Sequence, residues 1–215
     1  MFDTSVVVQN APLLFRGLLV TLAFTVTTIV AGLCIGLLVG MAQLSRTRLL
    51  RWPARVYVEC LRNVPLLVTL LWIYYALPIF AHISVTRMTA GFVALTLYVS
   101  SFYAEILRGG VLAVDRGHID AATALGMSRG HIFFRVVLPQ AVSKMLPSLV
   151  GQSIIQMKNT TLLSAITVPD LLYQGTYVSS FTYHPVEIYT CIGAIFLAIL
   201  LPMTMLARRM EQRHG

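Results

Sequence analysis

Charge is what this sequence has least of. Asp, Glu, Lys and Arg together make up 11% of its 215 residues, against about 25% in an average soluble domain. Too few charges are present to cover a water-facing surface, which excludes a soluble globular fold. Cysteine is also sparse. Cys34, Cys60 and Cys191 lie scattered in or beside apolar runs, with neither a CxxC pair nor a disulfide framework, and read as small packing residues. There is no G-x-x-x-x-G-K-S/T phosphate loop and no HExxH pattern, and the histidines at 82, 118, 131, 184 and 214 fall in different loops. The chain is therefore not expected to be an enzyme, to bind a metal or to carry its own nucleotide site. Acidic residues number 8 against 16 Lys and Arg, a net charge of +8. Nucleic acid is not the implied partner, because basic residues of membrane proteins gather at the cytoplasmic ends of their spans. No tandem repeat is visible, which argues against a single-chain inverted-repeat carrier.

What is abundant is apolar sequence: 57% hydrophobic residues and a mean hydropathy of +0.79. Five segments, roughly 18–44, 56–80, 88–112, 134–158 and 187–207, each reach the ~20 residues a helix needs to cross a bilayer. The expectation is an all-α polytopic membrane protein, a single domain over 1–215. A barrel would show short alternating segments instead. The first apolar run lacks a basic start and is too long for a signal-peptide core, so it is expected to stay as a span. The connection after it carries Arg46, Arg48, Arg51 and Arg55, and the one after span three carries Arg108, Arg116, Arg129 and Arg135. The loop after span two holds only Arg87 and His82, and no Lys or Arg occurs between Asn159 and Glu187. Arg208, Arg209 and Arg213 follow span five. This alternation places the N-terminus outside and the C-terminus in the cytoplasm.

Polar residues inside the spans need partners or a water-filled path. Glu59 and Arg62 are three apart near the inner end of span two, and Glu105 and Arg108 repeat that spacing in span three. Both sets are expected to pair on one helical face and to hold the bundle near a cytoplasmic gate. In span four, Gln140, Lys144, Pro147, Ser148, Gly151, Gln152, Gln156 and Asn159 recur at steps of three or four, a polar stripe on a helix of period 3.6. It is expected to line a dimer interface or a translocation path, with interhelical hydrogen bonding as the alternative. Ser148, Gln152, Gln156, Lys158 and Asn159 are the candidate pathway residues. Gly32, Gly36 and Gly40 form a small-xxx-small face suited to close helix packing. Pro147 falls inside span four, where it removes a backbone donor and favours a bend.

One segment does not belong in lipid. Residues 120–139 read DAATALGMSRGHIFFRVVLP. Gly117 and Gly130 bracket a short helix, expected near 118–126, with Asp120 in its first turn, where the macrodipole favours an acid. Ala121, Ala122 and Ala124 admit a close partner backbone, Gly126 permits a sharp turn, and Arg129 follows. The helix has no wide apolar stripe, which argues against lying on lipid. It is shaped for a groove on a soluble protein.

DAATALG, nine residues, then VVLP resembles the EAA loop of ABC-importer permeases, with Asp120 in place of Glu and Val136 in place of Ile. YAEILRGG at 103–110, RNVPLL at 62–67, PQA at 139–141 and KNTTL at 158–162 resemble signatures of that family's polar amino acid branch. Thr161 stands where the branch has Ser, and His118 where it usually has Gln. The resemblance covers nearly the whole chain. It implies the type I ABC importer fold, with five transmembrane helices and a cytoplasmic coupling helix, in a bacterial inner membrane. It also implies coupling to two ATP-binding subunits through Asp120, Ala121, Ala122, Gly126 and Arg129, with ATP and Mg held by those subunits. A second permease copy or paralogue and an extracytoplasmic amino acid binding protein are implied too. No acid lies in span four, so a neutral or acidic polar amino acid is the favoured cargo, with basic amino acids or opine-like compounds as the alternative. A channel or ion-coupled carrier working without an ATPase is the alternative of another class.

Overall fold

The computed structural model describes residues 4–214, with side chains through Arg209. Backbone groups taken out of water must be hydrogen-bonded within their own segment. The described residues accordingly form helices and connections, with no strand. The helices are α1 (Thr4–Leu44), α2 (Arg48–Asn63), α3 (Leu66–Ala81), α4 (Arg87–Leu112), α5 (Arg116–Ala124), α6 (Arg129–Ile132), α7 (Leu138–Asn159), α8 (Leu171–Thr182) and α9 (Pro185–His214). A π-helical turn, Phe133–Val137, joins α6 to α7, and a 3-10 stretch, Thr160–Ile166, prolongs α7.

Among the described residues, α1, α4 and α9 are each long and apolar enough to cross a membrane, while α2 and α3 qualify only as a pair bent by 105°. The second span, expected as one helix over 56–80, is thus broken. Its break has a local cause: a proline ring forces the residue before it out of the helical region, and Val64, before Pro65, sits at φ −91, ψ 129. The first helix is already present at Thr4, the first described residue, rather than beginning near residue 18, because Asn10 and Arg16 lower hydropathy without ending a helix. α7 is 22 residues long and runs unbroken through Pro147. The stretch without Lys or Arg before the last span contains helix α8, whose N-cap Asp170 accepts a hydrogen bond from Tyr173 N at 2.8 Å.

α1 lies against α4 along a ladder of small residues. Thr21, Thr25, Thr28, Gly32, Gly36 and Gly40 are all buried. A Cβ on Gly36 would stand 2.7 Å from Tyr103 Cβ, and one on Gly40 3.0 Å from the Ala104 carbonyl. The glycine face therefore serves an intramolecular contact, where the missing side chains let two backbones approach. Two threonine hydroxyls are satisfied locally, Thr25 by the Thr21 carbonyl at 2.8 Å and Thr28 by the Phe24 carbonyl at 2.7 Å, while Thr21 Oγ1 accepts from Leu171 N at 3.1 Å, so they cost little inside the bundle. Around this axis sit three apolar clusters. One, with Leu70, Ala94 and Leu163, lies at the end of α4 remote from α5. The second, with Val114, Ala122, Ile132 and Met145, lies at the α5 end. The third, with Leu14, Leu171 and Ile188, joins α1 to α8 and α9.

Candidate coupling helix and polar interior

α5 is built by its two caps. Asp115 occupies the N-cap, and its Oδ1 accepts from Gly117 N at 2.8 Å, satisfying one of the free amides of the first turn. The helix begins at Arg116, so Asp120 stands in the second turn, not the first. The acid that meets the macrodipole is Asp115. At the other end Gly126 has φ +74, while Gly126 N donates to the Thr123 carbonyl at 3.0 Å and Met127 N to the Ala122 carbonyl at 3.1 Å. This is a Schellman cap, whose left-handed position glycine fills without steric cost.

The alanines divide. Ala122 is buried among the cluster of Val114, Ile132, Val137, Ala141 and Met145, so it anchors α5 to its own bundle rather than admitting a partner. Asp120, Ala121, Ala124 and Arg129 are exposed. Leu125 was missed in the sequence; it is 81% exposed at the tip of the helix. Its place in DAATALG, directly before the glycine, was the available signal. Two side chains from the α7 stripe hold this end. Lys144 Nζ donates to the Ala113 carbonyl at 2.6 Å, and Gln140 Oε1 lies 2.9 Å from His118 Nδ1.

Further along α7 the stripe turns inward. Gln156 is fully buried, and its Nε2 donates to Thr28 Oγ1 at 3.0 Å and to the Leu95 carbonyl at 3.3 Å. Its Oε1 has no protein partner, nor do Gln152 Nε2, Asn159 Nδ2 and Thr96 Oγ1. A buried polar atom left without a hydrogen bond costs about 1–3 kcal/mol, so each is a valence suited to water or a polar solute. Gln152 is buried too and Asn159 half-buried, whereas Ser148 and Lys158 are exposed. The five candidate pathway residues therefore do not share one environment. Nearby, Tyr103 OH and Ser153 Oγ lie 2.8 Å apart, which links α4 to α7.

Of the two expected ion pairs, one forms. Arg108 grips Glu105 with two nitrogens, Nε to Oε2 at 3.1 Å and Nη2 to Oε1. Glu59 does not meet Arg62. Its Oε2 accepts from Asn63 Nδ2 at 3.1 Å, a partner one turn away, while the Arg62 guanidinium lies 5.2 Å from the ring centre of Phe102, where cation–π attraction holds it. Gln43, Arg55, Glu59, Glu105 and Arg108 together line a cavity of about 310 Å³. Gln43 Oε1 is buried there without a partner.

The family described as "Binding-protein-dependent transport system inner membrane component" matches residues 32–214. The chain is 35% identical over 213 residues to the glutamine transport system permease protein GlnP of Escherichia coli, covering 99% of this chain and 97% of that one. It is 30% identical over 219 residues to the E. coli glutamate/aspartate import permease protein GltK, covering 99% and 98%. It is 34% identical over 206 residues to the octopine transport system permease protein OccM of Rhizobium meliloti, covering 92% and 84%. Among solved structures, a chain of an amino acid ABC transporter crystallised with histidines superposes with a TM-score of 0.93 at 34% identity, covering 99% of both chains. A chain of the inward-facing MetNI methionine transporter superposes at 0.76 with 21% identity, covering 94% and 96%; this likeness speaks for the fold.

Proposed function

This chain belongs to the binding-protein-dependent transport system inner membrane components, and on that premise we propose that it forms half of the transmembrane path of an ATP-driven importer of polar amino acids. It is a multi-pass permease subunit of an amino acid ABC importer and not an enzyme; hydrolysis belongs to a separate ATPase subunit. In the proposed assembly, five spans make one permease domain over 1–215, with α7 as the fourth span. The N-terminus lies outside and α5 in the cytoplasm. Two such chains, identical or paralogous, enclose the path, two ATP-binding subunits dock on the α5 helices with ATP and Mg between them, and an extracytoplasmic binding protein delivers the amino acid.

The observation that carries the reading is the form of α5. It presents Asp120, Ala121, Ala124, Leu125 and Arg129 to solvent while Ala122 and the Gly126 cap fix it to the bundle. Force applied to its face would be passed to α7 through His118–Gln140 and Ala113–Lys144. Glu105–Arg108 and the charged cavity beside it act as the cytoplasmic gate, with Glu59 and Arg62 on its α2 side. Gln152, Gln156 and Asn159 are the amide contacts for the solute, since an amide both donates and accepts. Ser148 and Lys158 border the path where α7 is exposed. Alternating access is then a shift between two packings of one bundle, biased by nucleotide and binding protein.

The cargo favoured is neutral or acidic. α7 carries no Asp or Glu to balance a cationic side chain, and relatives are glutamine and glutamate/aspartate permeases. The octopine relative keeps opine-like and basic compounds as the alternative. The decisive experiment is uptake of labelled glutamine, glutamate and arginine into proteoliposomes holding this chain with its ATPase and binding protein. ATP-dependent glutamine or glutamate uptake is expected. Uptake that persists without the ATPase would assign a channel or ion-coupled carrier, and arginine outcompeting both others would reverse the cargo assignment.

A further inference from the structure

At the α5 end of the bundle an apolar cavity of about 650 Å³ opens between α1, α4 and the turn into α7. Leu37, Leu38, Met41, Leu107, Phe133 and Met145 are among the residues that line it, as are Ser45 and Leu50. Its volume falls within the range of about 300–1,000 Å³ typical of small-molecule sites. Leu50 lies on the first turn of α2. The residues around it in sequence, Arg48, Arg51, Trp52 and Arg55, line a second cavity of about 410 Å³. Leu50 of the first and Arg51 of the second are consecutive residues, so both spaces border the opening turns of α2, one walled by carbon and the other by three guanidinium groups and an indole.

The charge of this region is one-sided. From residue 4 to 58 the chain contains no Asp or Glu. Arg55 also faces the cavity that holds Glu59 and Glu105, but no carboxylate among the described residues pairs with Arg46, Arg48 or Arg51. Trp52 is 71% exposed and Leu49 90% exposed. An exposed indole beside arginines at the end of an apolar helix is the chemistry of a membrane–water boundary.

We propose that these two cavities form a binding site for one anionic phospholipid. Its acyl chain lies in the α1–α4 groove and its phosphate sits between Arg48 and Arg51. Arginine suits the phosphate because the planar fork offers two parallel donors. A zwitterionic headgroup would satisfy the groove equally but would bring its own cation against an uncompensated basic cluster, so selectivity for negative charge is built in. Lipid here would brace the α1–α2 turn against the start of α7. The inference needs only that α1 and α4 span a bilayer. It does not depend on the import reading, and neither falls with the other.

The test uses the full chain in nanodiscs of equal phosphatidylglycerol and phosphatidylcholine, released into mild detergent and weighed by native mass spectrometry. About fivefold or greater retention of phosphatidylglycerol over phosphatidylcholine is expected. Arg48→Gln with Arg51→Gln should bring the two lipids level, and Met41→Trp, which fills the groove, should lower both. Equal retention by the unmodified chain, or an unchanged preference in the double glutamine variant, would overturn the proposal. So would loss of both lipids together with disulfide formation between Leu38→Cys chains in a background freed of Cys34, Cys60 and Cys191, which would assign the groove to a second copy. If Met41→Trp does not assemble, the arginine variant alone decides.

Discussion

His118 Nδ1 and Gln140 Oε1 lie 2.9 Å apart, so the first turn of α5 is tied to the first turn of α7. With Lys144 holding the Ala113 carbonyl at 2.6 Å, the two ties bracket the connection leading into α5. A motion of α5 cannot be absorbed by that connection alone.

Cutting this tie should loosen transmission without unfolding the chain. Gln140→Leu removes a hydrogen bond worth about 0.5–1.5 kcal/mol, which corresponds to a fall of about two- to tenfold in amino acid taken up per ATP hydrolysed. Parallel uptake and hydrolysis measurements on the reconstituted complex check this. Unchanged stoichiometry would show the tie to be idle.

Ala121 and Ala122 are adjacent but should fail differently. Ala121→Arg adds bulk to an exposed face and is expected to reduce co-purification of the ATPase while leaving the melting temperature of the isolated permease unchanged. Ala122→Arg drives a charge into the Val114–Met145 cluster and should lower that melting temperature by several degrees, a buried unpaired charge being among the costliest changes. Gly126→Asp forces a side chain into a left-handed backbone at a cost of about 1–2 kcal/mol and should uncouple hydrolysis from uptake while membrane insertion persists.

The glycine ladder gives a packing test. At Gly36 an added Cβ would meet Tyr103 Cβ at 2.7 Å and the Ser100 carbonyl at 3.0 Å. Gly36→Ala is expected to destabilise by about 1–3 kcal/mol, as overpacking does. Gly193→Ala, with nothing within 4 Å of the new atom, should be neutral or slightly stabilising, since alanine is the better helix former. Thermal melts of the two variants side by side distinguish them.

Asp170, at the end of the connection between α7 and α8, is buried, and desolvation pushes its carboxyl up to about 7. The native state therefore holds a proton that the unfolded chain has already released. Stability is greatest below the unfolded carboxylate range near 4, and it declines as pH rises towards 7, levelling off above. Asp170→Asn keeps an acceptor for Tyr173 N and should flatten that dependence, with a higher melting temperature than the unmodified chain at pH 8. A melting profile from pH 5 to 8 in one detergent provides the check.

Gln156→Leu separates a solute contact from interhelical glue. The variant loses the bonds to Thr28 and Leu95 but also the unpartnered Oε1. Uptake should fall at least about tenfold while the melting temperature changes little, because Thr28 Oγ1 keeps its bond to the Phe24 carbonyl and a buried oxygen without a partner is removed. A melt that falls in step with uptake would make Gln156 structural.

Much of this was legible because periodicity and backbone chemistry speak locally. The glycine spacing at 32, 36 and 40 announced close packing, and Gly126 announced a turn. What hydropathy could not register was geometry inside a uniformly apolar run. The break at Val64–Pro65 leaves hydrophobicity untouched and shows only as a proline rule. The start of α5 was misplaced because Asp115, the true cap, stands before two residues that looked like loop. α8 is rich in Ser, Thr and Tyr and gives no strong hydropathy signal; its one local mark is Asp170 before Leu171, a helix start. The polar stripe of α7 was visible as a stripe. Which of its members reach the interior depends on where α1 and α4 stand, and one helix cannot state that.

α7 is unbroken from Leu138 to Asn159. It is gripped at Gln140 and Lys144 and presents Gln152 and Gln156 about 18 Å further on, at 1.5 Å per residue. Such a rod would serve the proposed importer as a crankshaft. In the proposed importer, a twist imposed at the foot would travel along this helix to the amides, so the geometry offered to a solute would be set by the angle at which the foot is held.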